Sequence, residues 1–275
     1  MDIIEIIKDA FVFPSKDVKI LLIYVILSIL AAFFATMGSA VYVFGFLIPE
    51  CFMWGGMAVV LAMLIGWVMS GYSISVIKSG IEQNDEVPAF DWWENFITGF
   101  YSFATTIVYY LIPAIIVAIV GLMTNIYGNI WAVIDEIVKQ ILSVASGYSS
   151  NFAYDLIAQA LSQLIVSLAI TMTVAIIVFI IFSFLETMAQ ARLANTGSLG
   201  EALNIYESAK DIRRIGIGKV IAVILLIIIV VGVINVILSA IFSYVPILSI
   251  LSVIITPYLV LFGQRAIGLL YSDIA

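Results

Sequence analysis

Histidine is absent from this 275-residue chain, and cysteine occurs once, as Cys51. The first absence removes the commonest general base, proton relay and metal ligand. The second excludes an internal disulfide and any thiolate metal cluster. Gly-rich phosphate loops, paired catalytic carboxylates and metal-ligand spacings are also missing. The expectation is therefore a non-enzymatic protein with no catalytic residue, no cofactor and no metal. Charge is scarce as well, at 11% of residues, with a formal net charge of −7. That balance argues against a nucleic-acid partner and against a polybasic clamp on anionic lipid. The start of the chain carries Asp2, Glu5, Lys8 and Asp9 among isoleucines. It lacks the basic opening of a cleaved signal peptide, so the first apolar run is expected to be retained.

What the chain has in abundance is apolar surface: 64% hydrophobic residues and a mean hydropathy of +1.22. The hydrocarbon core of a bilayer is about 30 Å thick and needs about 20 helical residues to cross. Six segments supply that, around 19–44, 52–77, 99–124, 158–186, 219–242 and 246–271. Cations set the direction of threading. With the N-terminus inside, Lys8, Lys16, Lys19, Lys78, Arg192, Lys210, Arg213, Arg214, Lys219 and Arg265 fall on the cytoplasmic side, and Lys139 alone falls outside. The positive-inside rule counts Lys and Arg, so both termini are expected in the cytoplasm. The outer turns at 46–51 and 242–246 are short and carry Pro49 and Pro246, which cannot continue a hydrogen-bonded helix. Tight antiparallel hairpins follow from them.

One unit is written three times: a short amphipathic lead-in, a span, an outer turn, a returning span and a cation. The lead-ins contain Asp9-Ala10-Phe11-Val12-Phe13, Pro88-Ala89-Phe90-Asp91-Trp92 and Glu201-Ala202-Leu203-Asn204-Ile205. The exits are Lys78-Ser79-Gly80, Arg192 followed by Gly197, and Arg265 followed by Gly268. Either an internal duplication or the shared needs of any helical hairpin would produce this.

The lead-ins read as helices in the inner interface. Ile3, Ile4, Ile7, Ala10 and Phe11 form one face of the first, against Asp2, Glu5, Lys8 and Asp9. In the third, Leu199, Ala202, Leu203, Tyr206 and Ala209 make a stripe at helical spacing, and Ser198 with Glu201 forms a capping box. The second is shorter, with Asp91 and Glu94 in capping relation beside Trp92, Trp93 and Phe96. A further amphipathic helix is expected in 125–155. Ile126, Ile130, Trp131, Ile134, Ile137, Val138 and Ile141 lie on one face, and Asn129, Asp135, Glu136, Lys139, Gln140 and Ser143 lie away from it. It is too charged to span and is expected on the outer surface, as a lid or a plain interfacial helix, before a turn at Gly147-Tyr148-Ser149-Ser150-Asn151.

Inside the spans, Ala58, Ala62, Gly66 and Ser70 recur every fourth residue and predict a helix-packing face, with a weaker version in Ala31, Ala35 and Ser39. Gln159, Gln163, Ser167 and Thr171 form a polar row on the fourth span. Gly232, Asn235 and Ser239 share one side of the fifth. Such residues either bond across helices or line a wet cavity. Glu186 is the only acid within a span, six residues before Arg192. An acid there relays protons or pairs with Gln190 or a cation. Lys78, Arg192 and Arg265 sit at equivalent inner ends. Around a common axis they would form a headgroup-level ring near Trp92 and Trp93, suited to a phosphate. Otherwise each snorkels alone.

Two stretches carry a resemblance. Val87-Pro88-Ala89-Phe90-Asp91-Trp92-Trp93-Glu94-Asn95-Phe96-Ile97-Thr98-Gly99, leading to Tyr109-Tyr110-Leu111-Ile112-Pro113, resembles the signature of domain-of-unknown-function family 4013. Ala191-Arg192-Leu193-Ala194-Asn195-Thr196-Gly197-Ser198-Leu199-Gly200-Glu201-Ala202-Leu203 is similar to its second signature, and Gly263-Gln264 to its third. The likeness runs over about residues 10–272. It departs in the length of the amphipathic stretch 125–157 and in the residues after Gly263-Gln264. It implies a multi-pass prokaryotic, archaeal-type membrane protein and brings no site residues.

The reading is an all-α, polytopic membrane protein: six transmembrane helices as three antiparallel hairpins with interfacial amphipathic helices. It forms a single integral membrane domain over 1–275, with hairpin units of approximately 1–80, 81–197 and 198–275. The leading function is binding or translocation of a lipid-like or amphipathic molecule in the cell membrane. A structural or assembly subunit and a channel or permease for a small neutral solute stand as alternatives. Expected partners are membrane lipids and either itself or another membrane protein.

Overall fold

The computed structural model describes residues 1–146 and 154–275. Every regular element among them is helical. In hydrocarbon every backbone N–H and C=O must be paired, and a helix does this within each apolar run. The helices are α1 (Ile3–Val12), α2 (Val18–Phe44), α3 (Glu50–Ile81), α4 (Trp92–Met123), α5 (Ile126–Ala145), α6 (Tyr154–Thr196), α7 (Leu199–Ala202), α8 (Ile205–Ile215), α9 (Ile217–Tyr244) and α10 (Ser252–Tyr271). Short 3-10 turns at Phe13–Ser15 and Pro246–Leu251 lead into α2 and α10. Six of these helices are long and apolar enough to cross a membrane, as expected. The turn expected at 147–151 lies outside the described residues.

Local chemistry explains most boundaries. Asp17 caps α2, its carboxylate accepting from the Lys19 and Ile20 amides. Asp91 Oδ1 accepts from the Trp93 and Glu94 amides at 3.0 and 2.9 Å. The cap expected there opens α4 itself, so Trp92 and Trp93 begin a spanning helix and not a separate lead-in. Ser198 caps α7, its hydroxyl accepting from the Glu201 amide, while the Glu201 carboxylate binds Arg192 instead of closing the expected box. The single helix expected beyond it is broken, because Asn204 Oδ1 accepts from the Glu207 amide and starts α8 afresh. Asn is a strong N-cap and a poor helix interior. Gly216, at φ 105°, then separates α8 from α9, a conformation that favours glycine.

The chain forms two compact units: residues 1–106 with 185–275, and residues 107–184. In the first, α2 packs along α3, and α3 in turn packs along α10. Lipid tails are as apolar as leucine, so close backbone approach and polar bonds must hold such helices together. Gly71 illustrates the approach. A Cβ there would overlap the Asn95 carbonyl of α4, and one at Gly80 would meet the backbone of Gly268 on α10. The small-residue row on α3 is used only in part: Ala58 meets Gly38 of α2, whereas Gly66 has nothing within 4 Å. Phe13, Tyr24, Tyr72, Val76 and Leu261 make a buried core, in which Tyr72 stacks on Phe90 at 5.0 Å. On α1 the buried residues are Ile6 and Ala10, while Ile4 and Phe11 are exposed. The face assigned from spacing is therefore rotated by part of a turn, because α1 packs against both α9 and α10.

In the second unit α5 is one amphipathic helix, as expected, with Trp131 69% exposed. Lys139 is bound by Asp135 at 2.6 Å and Glu136 at 3.1 Å. Those carboxylates raise the ammonium group above its ordinary pKa.

Candidate functional site

Glu186 lies on α6 where the sequence pattern suggests the span ends, yet the helix continues to Thr196. The carboxylate therefore sits in mid-helix, with Gln190 one turn on and the α4 residues Ser102 and Thr106 opposite. Thr106 Oγ1 donates to Glu186 Oε1 at 2.9 Å, and Gln190 Nε2 donates to the same oxygen at 2.8 Å. Gln190 Nε2 also lies 3.2 Å from the Ser102 carbonyl and 3.0 Å from Thr106 Oγ1. These groups border a cavity of about 290 Å³, completed by Ser70 and Ser73 of α3 and Gln264 of α10. Ser70 and Ser102 share a hydrogen bond of 2.8 Å. No Lys or Arg lines the cavity. Gln190 is nine-tenths buried, and its Oε1 has no hydrogen-bond partner.

Beside this polar cavity is an apolar groove of about 300 Å³, formed by Tyr24, Ile29 and Ala32 of α2, Met69 of α3, and Pro257 and Val260 of α10 among others. The two spaces share their walls. Tyr24 of the groove and Ser73 of the cavity are hydrogen-bonded at 3.1 Å. Val260 of the groove and Gln264 of the cavity stand one turn apart on α10. An apolar slot thus adjoins a chamber of hydroxyls, carboxamides and one acid.

The inner-end cations Lys78, Arg192 and Arg265 have different surroundings. Arg265 is 1% exposed: its Nε donates to Asp9 at 3.1 Å, and its Nη1 to Ser79 Oγ at 3.0 Å and the Asn84 carbonyl at 2.8 Å. The guanidinium also lies 4.2 Å from the centre of the Phe13 ring. Arg192 belongs to a different network, donating to Asp211 at 2.8 Å and Glu201 at 2.7 Å. Asp211, itself 1% exposed, accepts from the Tyr271 hydroxyl at 2.7 Å as well. Lys78 is exposed beside a cleft that Glu82, Glu86, Asp91 and Glu94 also line. Trp92 and Trp93 are exposed, the first against Phe90 and the second stacked on Phe96. Each guanidinium is paired with its own carboxylates, Arg265 with Asp9 and Arg192 with Asp211 and Glu201. Asp9 is far from Arg265 in sequence, and Glu201 and Asp211 follow Arg192 on other helices, so helical spacing alone does not show these pairs.

The polar row on α6 bonds across helices in the second unit. Thr171 and Thr124 hydroxyls lie 3.0 Å apart, and Asn129 Nδ2 donates to Ser167 Oγ at 3.1 Å. Gln159 and Gln163 are exposed. Asn235 on α9 bonds back to the Val231 carbonyl of its own helix. Sequence reasoning singles out Glu186 with Gln190 as a partner, gives Ser70 only as a packing residue and Gln264 only as part of a signature, and misses Thr106 and Ser102. Only their hydroxyls within apolar runs could have drawn attention to them.

The profile of a family described as protein of unknown function, DUF4013, matches residues 54–243. The chain belongs to the DUF4013 family. The DUF4013 match holds Glu186, Gln190, Thr106 and the α3 serines, and stops short of Gln264 and Arg265. No curated protein and no solved structure matches the chain significantly.

Proposed function

We propose that this DUF4013 protein is a non-enzymatic membrane protein that binds an amphipathic molecule. Its polar end occupies the Glu186 cavity and its apolar chain lies in the groove between α2, α3 and α10. The observation that carries this reading is the shared wall of the two spaces, the Tyr24–Ser73 pair. An ionisable group inside a membrane is costly and is by default a candidate for a functional site. In this reading the chain sits in the cell membrane with the Arg265 end cytoplasmic, following the cation distribution. Its partners are lipids of the same bilayer.

A small neutral solute would use the cavity and leave the groove idle, and one measurement separates the two. Native mass spectrometry from mild detergent should show a retained lipid-sized mass on the wild-type chain. Ala32→Trp, which fills the groove, should lose it. Release of wild-type chains free of such mass, under conditions that preserve known lipid binders, would overturn the proposal.

A further inference from the structure

Resting on that reading, we infer that the polar end of the bound molecule is an ammonium group, docked on Glu186 Oε2. The argument is an inventory of donors and acceptors. A carboxamide nitrogen has two hydrogens, and Gln190 Nε2 has three acceptors within 3.2 Å. The single Thr106 hydroxyl hydrogen is engaged by Glu186 Oε1. Ser73 donates to the Met69 carbonyl at 3.1 Å while sharing its oxygen with Tyr24. The donors of Gln190, Thr106 and Ser73 are thus occupied, while two acceptors beside them are open. Both bonds to Glu186 end on Oε1, and the buried Gln190 Oε1 has none.

Charge points the same way. Glu186 takes part in no ion pair among the described residues, and no cation lines the cavity. The nearest arginine in the sequence, Arg192, is held by Asp211 and Glu201. The Glu186 carboxylate is partly buried and has no counter-charge, so a cation brought by the occupant would be favoured there. An occupant bringing both positive charge and N–H donors satisfies the two open acceptors, Glu186 Oε2 and Gln190 Oε1, at once. The volume of about 290 Å³ suits an organic head; a single water takes up only about 30 Å³, and a dehydrated metal ion would leave most of the chamber empty. The adjoining groove takes the alkyl chain.

Three probes of equal chain length test this on the purified protein in an uncharged maltoside detergent: decylammonium, decanol and decanoate. Decylammonium should raise the unfolding temperature at about tenfold lower concentration than decanol, the ratio of one modest charge interaction. Decanoate should not stabilise. Glu186→Gln should bring decylammonium level with decanol and leave the decanol response intact. Should that variant fail to fold, competition on the wild type serves instead. Methylammonium should displace decylammonium, and sodium at equal ionic strength should not. Equal potency of decanol and decylammonium, or displacement by sodium, would overturn the ammonium assignment while leaving the groove in place. No response to any probe would overturn both this inference and the function it rests on.

Discussion

The two compact units solve the same problem with different chemistry. The unit holding the chain ends adds charged ties to neutral ones such as Tyr24–Ser73: Arg265 joins α10 to α1 and to the α3–α4 connection, and Asp211 joins α8 to α6 and α10. Residues 107–184 use neutral groups, Thr124 with Thr171 and Asn129 with Ser167. The contrast follows from what each environment tolerates. A guanidinium is held where carboxylates and carbonyls surround it on every side, whereas hydroxyls can be embedded in hydrocarbon at small cost. Glu186 is the exception, a charge-bearing group placed among neutral ones without a cation to match.

Breaking the charged ties should cost most. Arg265→Ala leaves Asp9 and the Asn84 carbonyl without their donor and removes a buried cation from Phe13. Loss of one partner from a buried pair costs about 3–5 kcal/mol, and chemical unfolding in detergent micelles should show a loss near the lower end, since Asp9 is partly exposed. Arg265→Lys should recover little of it, because one ammonium cannot reproduce the fork that reaches Asp9, Ser79 and Asn84 together. A neutral tie should matter far less. Thr171→Val keeps the shape and removes the bond to Thr124, and should cost about 1 kcal/mol or less by the same assay. If Thr171→Val equalled Arg265→Ala, the contrast between the units would be wrong.

The smallest effect concerns an exposed pair. The hydrogen bond and charge of Lys16 hold the Asp85 carboxyl below its ordinary value. A carboxyl lowered in the folded state adds stability above its unfolded pKa, and that contribution fades as pH falls through the folded one. The wild-type melting temperature should therefore decline slightly more than that of Lys16→Met as pH falls below about 4.

Legibility divides along similar lines. The spans could be read because crossing hydrocarbon demands long apolar runs, and Glu186 because an acid among them stands out. Caps at Asp91 and Ser198 could be read because they act within three residues. The rest depends on which helix meets which. Helices apolar on all sides carry little orientation in their pattern, so nothing local told Arg265 from Lys78. One is sealed among carboxylates and carbonyls, and the other is exposed. The break at Asn204 is hidden by an apolar stripe that runs through it, and capping by the Asn204 side chain outweighs that periodicity.

Cys51 has a practical consequence. It lies in the first turn of α3, near Phe44 and therefore at the far end of α2 from Lys16 and Lys19, and it is partly accessible. Being the sole thiol, it makes the unaltered protein its own reporter of orientation. A maleimide unable to pass the lipid barrier reaches that sulfur from one compartment only, so labelling intact cells distinguishes the two threadings without any engineered residue.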